Sequence, residues 1–203
     1  ETGMLLGIAS GRDYAHIATH YQDLANLMDF IVEENGTHFI DLHTNKETLT
    51  SKPVDSQQFA NFYQKLSVVT TAAFFNEKGK PYGVGDRDVL DFFMAQAHAR
   101  EVNKISLSQL MQHTFHKIVV AHYLADSKQL DQLVSQYLPH NLSATKSVNF
   151  LFEIQDADTS KSSGIQSYLD TQGIKMSEVV AFGDGDNDLS MIQAAGLGVA
   201  MKN

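Results

Sequence analysis

Three aspartates stand within one six-residue segment, Gly183-Asp184-Gly185-Asp186-Asn187-Asp188. Carboxylates this close repel one another, so a fold holds them most readily around a shared cation or where water reaches all of them. The apolar run Val179–Phe182 before them reads as a strand, and Asp188–Ala195 after them as a helix closed by Gly196. A polar turn at the C-terminal end of a parallel strand is where open α/β sheets bind their ligands, and glycines let the backbone come close to one. An isolated Asp-Gly-Asp is more often a solvated turn whose last aspartate caps the helix. The strand, turn and helix around this one favour a metal site.

A second polar turn, Ser10-Gly11-Arg12, follows the apolar run Met4–Ala9 and precedes a helical pattern of Tyr14, Ile17, Ala18 and Tyr21. Ser10 is a residue type that caps helices, which is the bland role to weigh against ligand binding. The histidines carry less information. His16 and His20 are four apart on this helix, but the glutamate of a zinc-protease pattern is absent. His113 and His116 have no acidic residue near them in sequence, and all four are expected at the surface or in packing roles.

Elements of two kinds must position these residues. Met4–Ala9, the helix from Asp13 and the strand Phe30–Val32 form a strand–helix–strand unit of a parallel sheet. The same grammar returns in the helix Ser162–Gln172, stopped by Gly173, the strand Val179–Phe182, the helix after Asp188 and the strand Leu197–Met201. Both ends are therefore assigned to one α/β layer. Between them, Val68–Phe75 and Pro81–Val84 flank a hairpin turn at 76–79. Helices are predicted over Asp55–Leu66, from Val89 to Ala97, and from Leu130 to Tyr137, with strands at Ile118–Ala121 and Asn149–Ile154. This mixed order is that of an α+β module, placed at Leu42–Phe152.

The formal charge of −9, from 15 Lys and Arg against 24 Asp and Glu, with no basic cluster, argues against nucleic acid as a partner. An acidic chain meets an anionic substrate best through a carboxylate-bound dication. With no cysteine, thiol catalysis and thiolate metal sites are excluded. No apolar run approaches the roughly 18 residues of a membrane span and no signal-like segment opens the chain, so no membrane partner and a cytoplasmic location are expected. Sequons at Asn35 and Asn141 are patterns of the kind that arise by chance.

Taken together, these segments resemble the Cof-type members of the haloacid dehalogenase superfamily, which carry a class IIB cap. Gly7–Arg12 resembles that family's second motif, Lys161 before its helix the third, and Gly183–Asp188 with Met191 the fourth; Glu34-Asn35-Gly36 matches a turn before the cap. The likeness spans nearly the whole chain. It implies a Rossmann-like α/β core, a parallel sheet with helices on both faces, formed by residues 1–41 and 153–203 and incomplete at both ends, with an inserted α+β cap of residues 42–152. Activity as a Mg²⁺-dependent phosphohydrolase of small phosphorylated metabolites is the implied function. Ser10, the Gly11 amide, Lys161 and Asn187 would hold the phosphoryl group, and Lys161 and Ser10 would act in catalysis. Asp184 would be the direct Mg²⁺ ligand and Asp188 an outer partner through metal-bound water. Arg12 and Asn35 would orient the loop or touch substrate. Ser162 stands where the family usually has glycine.

The family's first motif, Asp-x-Asp, is not recognised in this sequence. Asp156-Ala157-Asp158 mimics it but directly precedes Lys161, and Asp86-Arg87-Asp88 is better read as a helix start. The nucleophile is therefore expected upstream of Ser10, and the 203 residues alone are expected to be inactive. The implied mechanism is in-line attack by that aspartate to give an aspartyl-phosphate that water hydrolyses. Sugar phosphates, nucleotides and pyridoxal phosphate remain open as substrates, and the oligomeric state is open too. The alternatives are a non-catalytic phosphate-binding or regulatory relative and a phosphomutase. Ion-pumping ATPases share a similar turn, but this chain lacks their membrane helices.

Overall fold

The computed structural model describes residues 3–20, 22–96 and 102–202, without the side chains of residues 15, 16, 20, 96, 147 and 148. Tyr21 and Ala97 of the predicted helices therefore lie outside the described residues, as do the side chains of His16 and His20. The chain begins with β1 (Gly7–Ala9), α1 (Tyr14–His20), α2 (Gln22–Ala25), β2 (Phe30–Glu33), β3 (His38–Asp41) and β4 (Lys46–Leu49). It continues through α3 (Ser56–Lys65), β5 (Thr71–Glu77), β6 (Lys80–Gly85), α4 (Arg87–Gln96), β7 (Asn103–Lys104) and α5 (Leu107–Leu110). Next come β8 (Lys117–His122), α6 (Ser127–Tyr137), β9 (Leu142–Val148) and β10 (Leu151–Asp156), and finally α7 (Lys161–Gln172), β11 (Val180–Gly183), α8 (Leu189–Ala194) and β12 (Leu197–Ala200). Two compact units result, one of residues 1–52 with 158–203 and the other of residues 53–157, against the expected limits of 42 and 152.

In the first unit β1 runs parallel to β2, and β2, β3 and β4 follow as an antiparallel meander in which Glu33 faces His38. Strand alternation divides this sheet into two faces. Phe30, Val32 and Phe39 share a core with Ile165, Tyr168 and Leu169 of α7, and the Tyr168 ring stacks on Phe30 with centroids 4.0 Å apart. Ile31 turns the other way, toward Ile17 and Ala25. Burying each such side chain contributes about 1.5–3 kcal/mol, which anchors α7 to the sheet. α7 starts at the Ser160 cap, whose side chain accepts from the Ser163 amide, and ends at Gly173 in the left-handed conformation.

β11 and β12 form a separate parallel pair. Among the described residues β1 and β11 exchange no ladder, and each is hydrogen-bonded on one side only. What joins the two sheets is side-chain packing, because Ala181 and Met191 enter the same core as Phe30 and Tyr168.

The second unit is built on one six-stranded sheet of order β7-β6-β5-β8-β10-β9, antiparallel except between β6 and β7. The β5–β6 hairpin closes through Lys78 and Gly79, both at positive φ as a primed turn requires. Phe75, Val120 and Ile154 face Phe59 of α3, Leu66 at its C-cap, and Leu130 and Val134 of α6, whereas Ala72 and Ala121 face α4 through Val89 and Phe93. Asp86 caps α4, its Oδ1 accepting from the Val89 amide at 3.0 Å, as its reading as a helix start predicts. His113 has a packing role: its Nδ1 lies 2.8 Å from Glu77 Oε2 and its ring rests against Tyr82. Glu77 is far away in sequence and reaches His113 only through the fold.

Candidate functional site

The carboxylate turn begins where β11 ends. Asp184 and Asp186 are exposed, while Asp188 folds back and is buried. Its Oδ2 accepts the Asp184 and Gly185 amides at 2.9 and 3.0 Å, so the turn is wound around its own last carboxylate. Gly183 makes this possible: a Cβ there would lie 2.4 Å from the Asp188 Cβ. The other carboxylate oxygen, Oδ1, accepts from Lys161 Nζ at 2.6 Å, and both side chains of this ion pair are buried. Burial by itself works to raise the Asp188 pKa. The Lys161 donor and the two amides outweigh it and hold the carboxyl below its ordinary value.

Lys161 is the first residue of α7, fixed in direction by the Ser160 cap. Against this point rests the turn after β2, where Glu34, Asn35 and Gly36 all carry positive φ, at 50°, 59° and 101°. Gly36 is required twice over, by that φ and because a Cβ would meet the Ser160 carbonyl oxygen at 2.0 Å. The close approach delivers Asn35 to the carboxylate turn: Asn187 Nδ2 donates to Asn35 Oδ1 at 3.0 Å. Ser10 joins through the backbone, since the Asn35 amide donates to its carbonyl at 2.8 Å and its own amide donates to Val32 at 2.8 Å.

Lys161, Asp184, Asn187, Asp188 and Asn35 thus form one connected network, with Ser10 hydrogen-bonded to its edge. The Ser10 hydroxyl accepts the Arg12 amide at 3.1 Å, a local turn. Gly11 lies in the same turn, three residues before α1 begins. The Arg12 carbonyl accepts from Glu34, and the residue itself is exposed. The helix-capping role weighed for Ser10 is taken by a residue that the sequence did not single out: Glu33 Oε2 accepts the Tyr14 amide at 2.5 Å. Its signal was a charged residue ending an otherwise apolar strand.

The donor set suits Mg²⁺, a hard cation that takes oxygen ligands and binds through one or two protein carboxylates while keeping several waters. The exposed Asp184 offers such an oxygen. Asp188 is already committed to Lys161 and two amides, which fits a supporting position behind the metal better than direct ligation.

The sequence profile of the haloacid dehalogenase-like hydrolases matches residues 1–203, and the chain belongs to that family. It is 28% identical to the pyridoxal phosphate phosphatase YbhA of Escherichia coli (strain K12), over 100% of this chain and 77% of that protein. It is 27% identical to the HMP-PP phosphatase of Cronobacter sakazakii, over 100% of this chain and 73% of the other. In fold it is similar to a subclass IIB sugar phosphatase, with a TM-score of 0.76 and 21% identity, covering 98% of this chain and 74% of that one. The fold is the α/β architecture of the class IIB members, with mixed sheets and helices on both faces. Among the described residues no helix is long and apolar enough to cross a membrane.

Proposed function

We propose that the protein is a Mg²⁺-dependent phosphohydrolase of small phosphorylated metabolites that works through an aspartyl-phosphate. The observation that carries this reading is the buried Lys161–Asp188 pair beside the exposed Asp184. A lysine fixed by a helix start and a buried carboxylate is a preorganised positive charge, worth most where negative charge gathers on phosphoryl oxygens. Asn187, steadied by Asn35, donates to the same group, and the Ser10 hydroxyl and Gly11 amide hold a further oxygen. Asp184 would hold Mg²⁺ with Asp188 supporting it, and the ion would supply charge neutralisation at the phosphoryl oxygens. The nucleophile in this reading is an aspartate. Its carboxylate oxygen bonds to phosphorus as the ester oxygen leaves; water then cleaves the acyl phosphate, releasing inorganic phosphate and restoring the carboxylate.

Residues 53–157 act as the cap that selects the leaving group, and residues 1–52 with 158–203 as the core. Relatives at 27–28% identity that are named for pyridoxal phosphate and HMP-PP support a small phosphorylated metabolite as substrate. The location is cytoplasmic. The test assays the protein on an aryl phosphate with Mg²⁺ and in excess chelator. Turnover should require Mg²⁺, and Asp184→Ala should remove activity and metal dependence together. Turnover in excess chelator would overturn the metal, and no turnover with Mg²⁺ on any small phosphate ester would overturn the hydrolase reading.

A further inference from the structure

Glu33, His38 and Glu47 each place one ligating atom within 4.8 Å of the others, the one group of three so gathered among the described residues. The pairing of Glu33 with His38, and of Ile40 with Glu47, puts all three side chains on the sheet face opposite α7. They belong to three different strands, so their meeting is a product of register.

The hydrogen bonding around His38 turns one nitrogen toward this cluster. Thr37 Oγ1 lies 2.8 Å from His38 Nδ1 and donates to Glu34 Oε2 at 3.2 Å. In the tautomer that carries its proton on Nδ1, His38 donates to Thr37 Oγ1, whose own hydrogen goes to Glu34. The lone pair of Nε2 then faces Glu47 Oε1 at 3.9 Å. Two lone pairs at this distance repel, yet bonds of about 2.0–2.2 Å from each to one metal ion would span the gap. A ligating histidine is ordinarily held in this way through its other nitrogen. Glu33 adds a buried carboxylate that gathers with His38 and Glu47.

We propose that Glu33, His38 and Glu47 bind a first-row transition dication, best fitted by Zn²⁺, separately from the Asp184 turn. One imidazole and two carboxylates, without thiolate, suit Zn²⁺ better than Mg²⁺, which prefers oxygen alone. Glu47 is 59% exposed, so water completes the coordination from outside.

The test is Zn²⁺ binding by chelator-stripped protein in excess Mg²⁺, read by competition with a chromophoric chelator. Unsubstituted protein should bind one Zn²⁺ per chain, and Asp184→Ala should bind it equally well. His38→Ala and Glu47→Gln should each weaken binding by about tenfold or more. Glu47→Gln changes an exposed position without altering shape, and an unchanged far-ultraviolet circular dichroism spectrum would show that its fold is kept. Absence of stoichiometric binding, unchanged affinity in either variant, or loss of the ion in Asp184→Ala would each overturn the proposal. None of these readings depends on phosphatase activity, so the two proposals stand or fall separately.

Discussion

Asp188 and Glu33 are both buried carboxylates of the same compact unit, and burial is the strongest influence on each, working to raise its pKa. The outcomes are opposite. Asp188, with a lysine and two amides around it, is held below its ordinary value; Glu33, with one amide and a ring of carboxylates, rises to about 7. The difference shows that what accompanies a buried charge, more than its depth, decides whether it stays ionised. One region has its cation built in, and the other has room for one.

The largest expected break in this contrast is Lys161→Ala. It leaves Asp188 buried without its partner, a change that typically destabilises by about 3–5 kcal/mol. It should also lower kcat by about 10² or more, as loss of one preorganised donor does. Denaturant unfolding and steady-state kinetics check the two effects. Unchanged kinetics would place the third motif elsewhere in the chain.

Next in size is Glu33→Gln, which keeps an acceptor for the Tyr14 amide and removes the ionisation. The folded pKa of Glu33 lies above its unfolded value of 4.5, so its contribution is present below pH 4.5 and lost as pH rises through about 7. The variant should therefore gain on the order of 2 kcal/mol at pH 8 in chelator and almost nothing at pH 4.5. Asp188 has the opposite sign. Its contribution is present above the unfolded value of 3.8 and is lost as pH falls through its lower folded value. Equal effects of Glu33→Gln at both pH values would erase the comparison.

The smallest effect belongs to an ion pair that burial does not touch. Lys52 and Asp158 meet at 2.9 Å, but their side chains are 72% and 80% exposed. Asp158→Asn should change stability by less than about 0.5 kcal/mol, and that little should vanish in salt. A larger, salt-resistant loss would mean that partnership matters even in water.

The two carboxylate sites also differ in how legible they were. Gly183–Asp188 could be read because its residues are contiguous and its strand and helix have plain apolar patterns. Lys161 and Ser10 were found by resemblance, and their type and loop position made chemical sense. The partnership of Lys161 with Asp188 could not be read, since the two are 27 residues apart and meet only where the fold brings the start of α7 to the turn after β11. The cluster of Glu33, His38 and Glu47 was invisible for another reason. It needs β4, whose sequence Lys46-Glu47-Thr48-Leu49 is mostly exposed and shows no apolar alternation. β9 is a polar edge strand of the same kind and was missed as well. Apolar periodicity finds strands that bury a face, and edge strands need not.

The contact between the turn at 34–36 and the start of α7 bears on how this protein can change over time. A Cβ added at Gly164 would fall 2.8 Å from the Gly36 Cα, and one at Gly36 would strike the Ser160 carbonyl. The Gly36 position meets backbone alone, and at Gly164 the Val32 Cγ1, 2.5 Å away, stands beside that same backbone, so little can give way across the gap. Directed evolution that sets out to shift selectivity will find these two glycines closed, and Asn35 held in place by them. Its accessible variation lies in side chains away from this seam, so new substrates can be sampled without disturbing the network around Lys161.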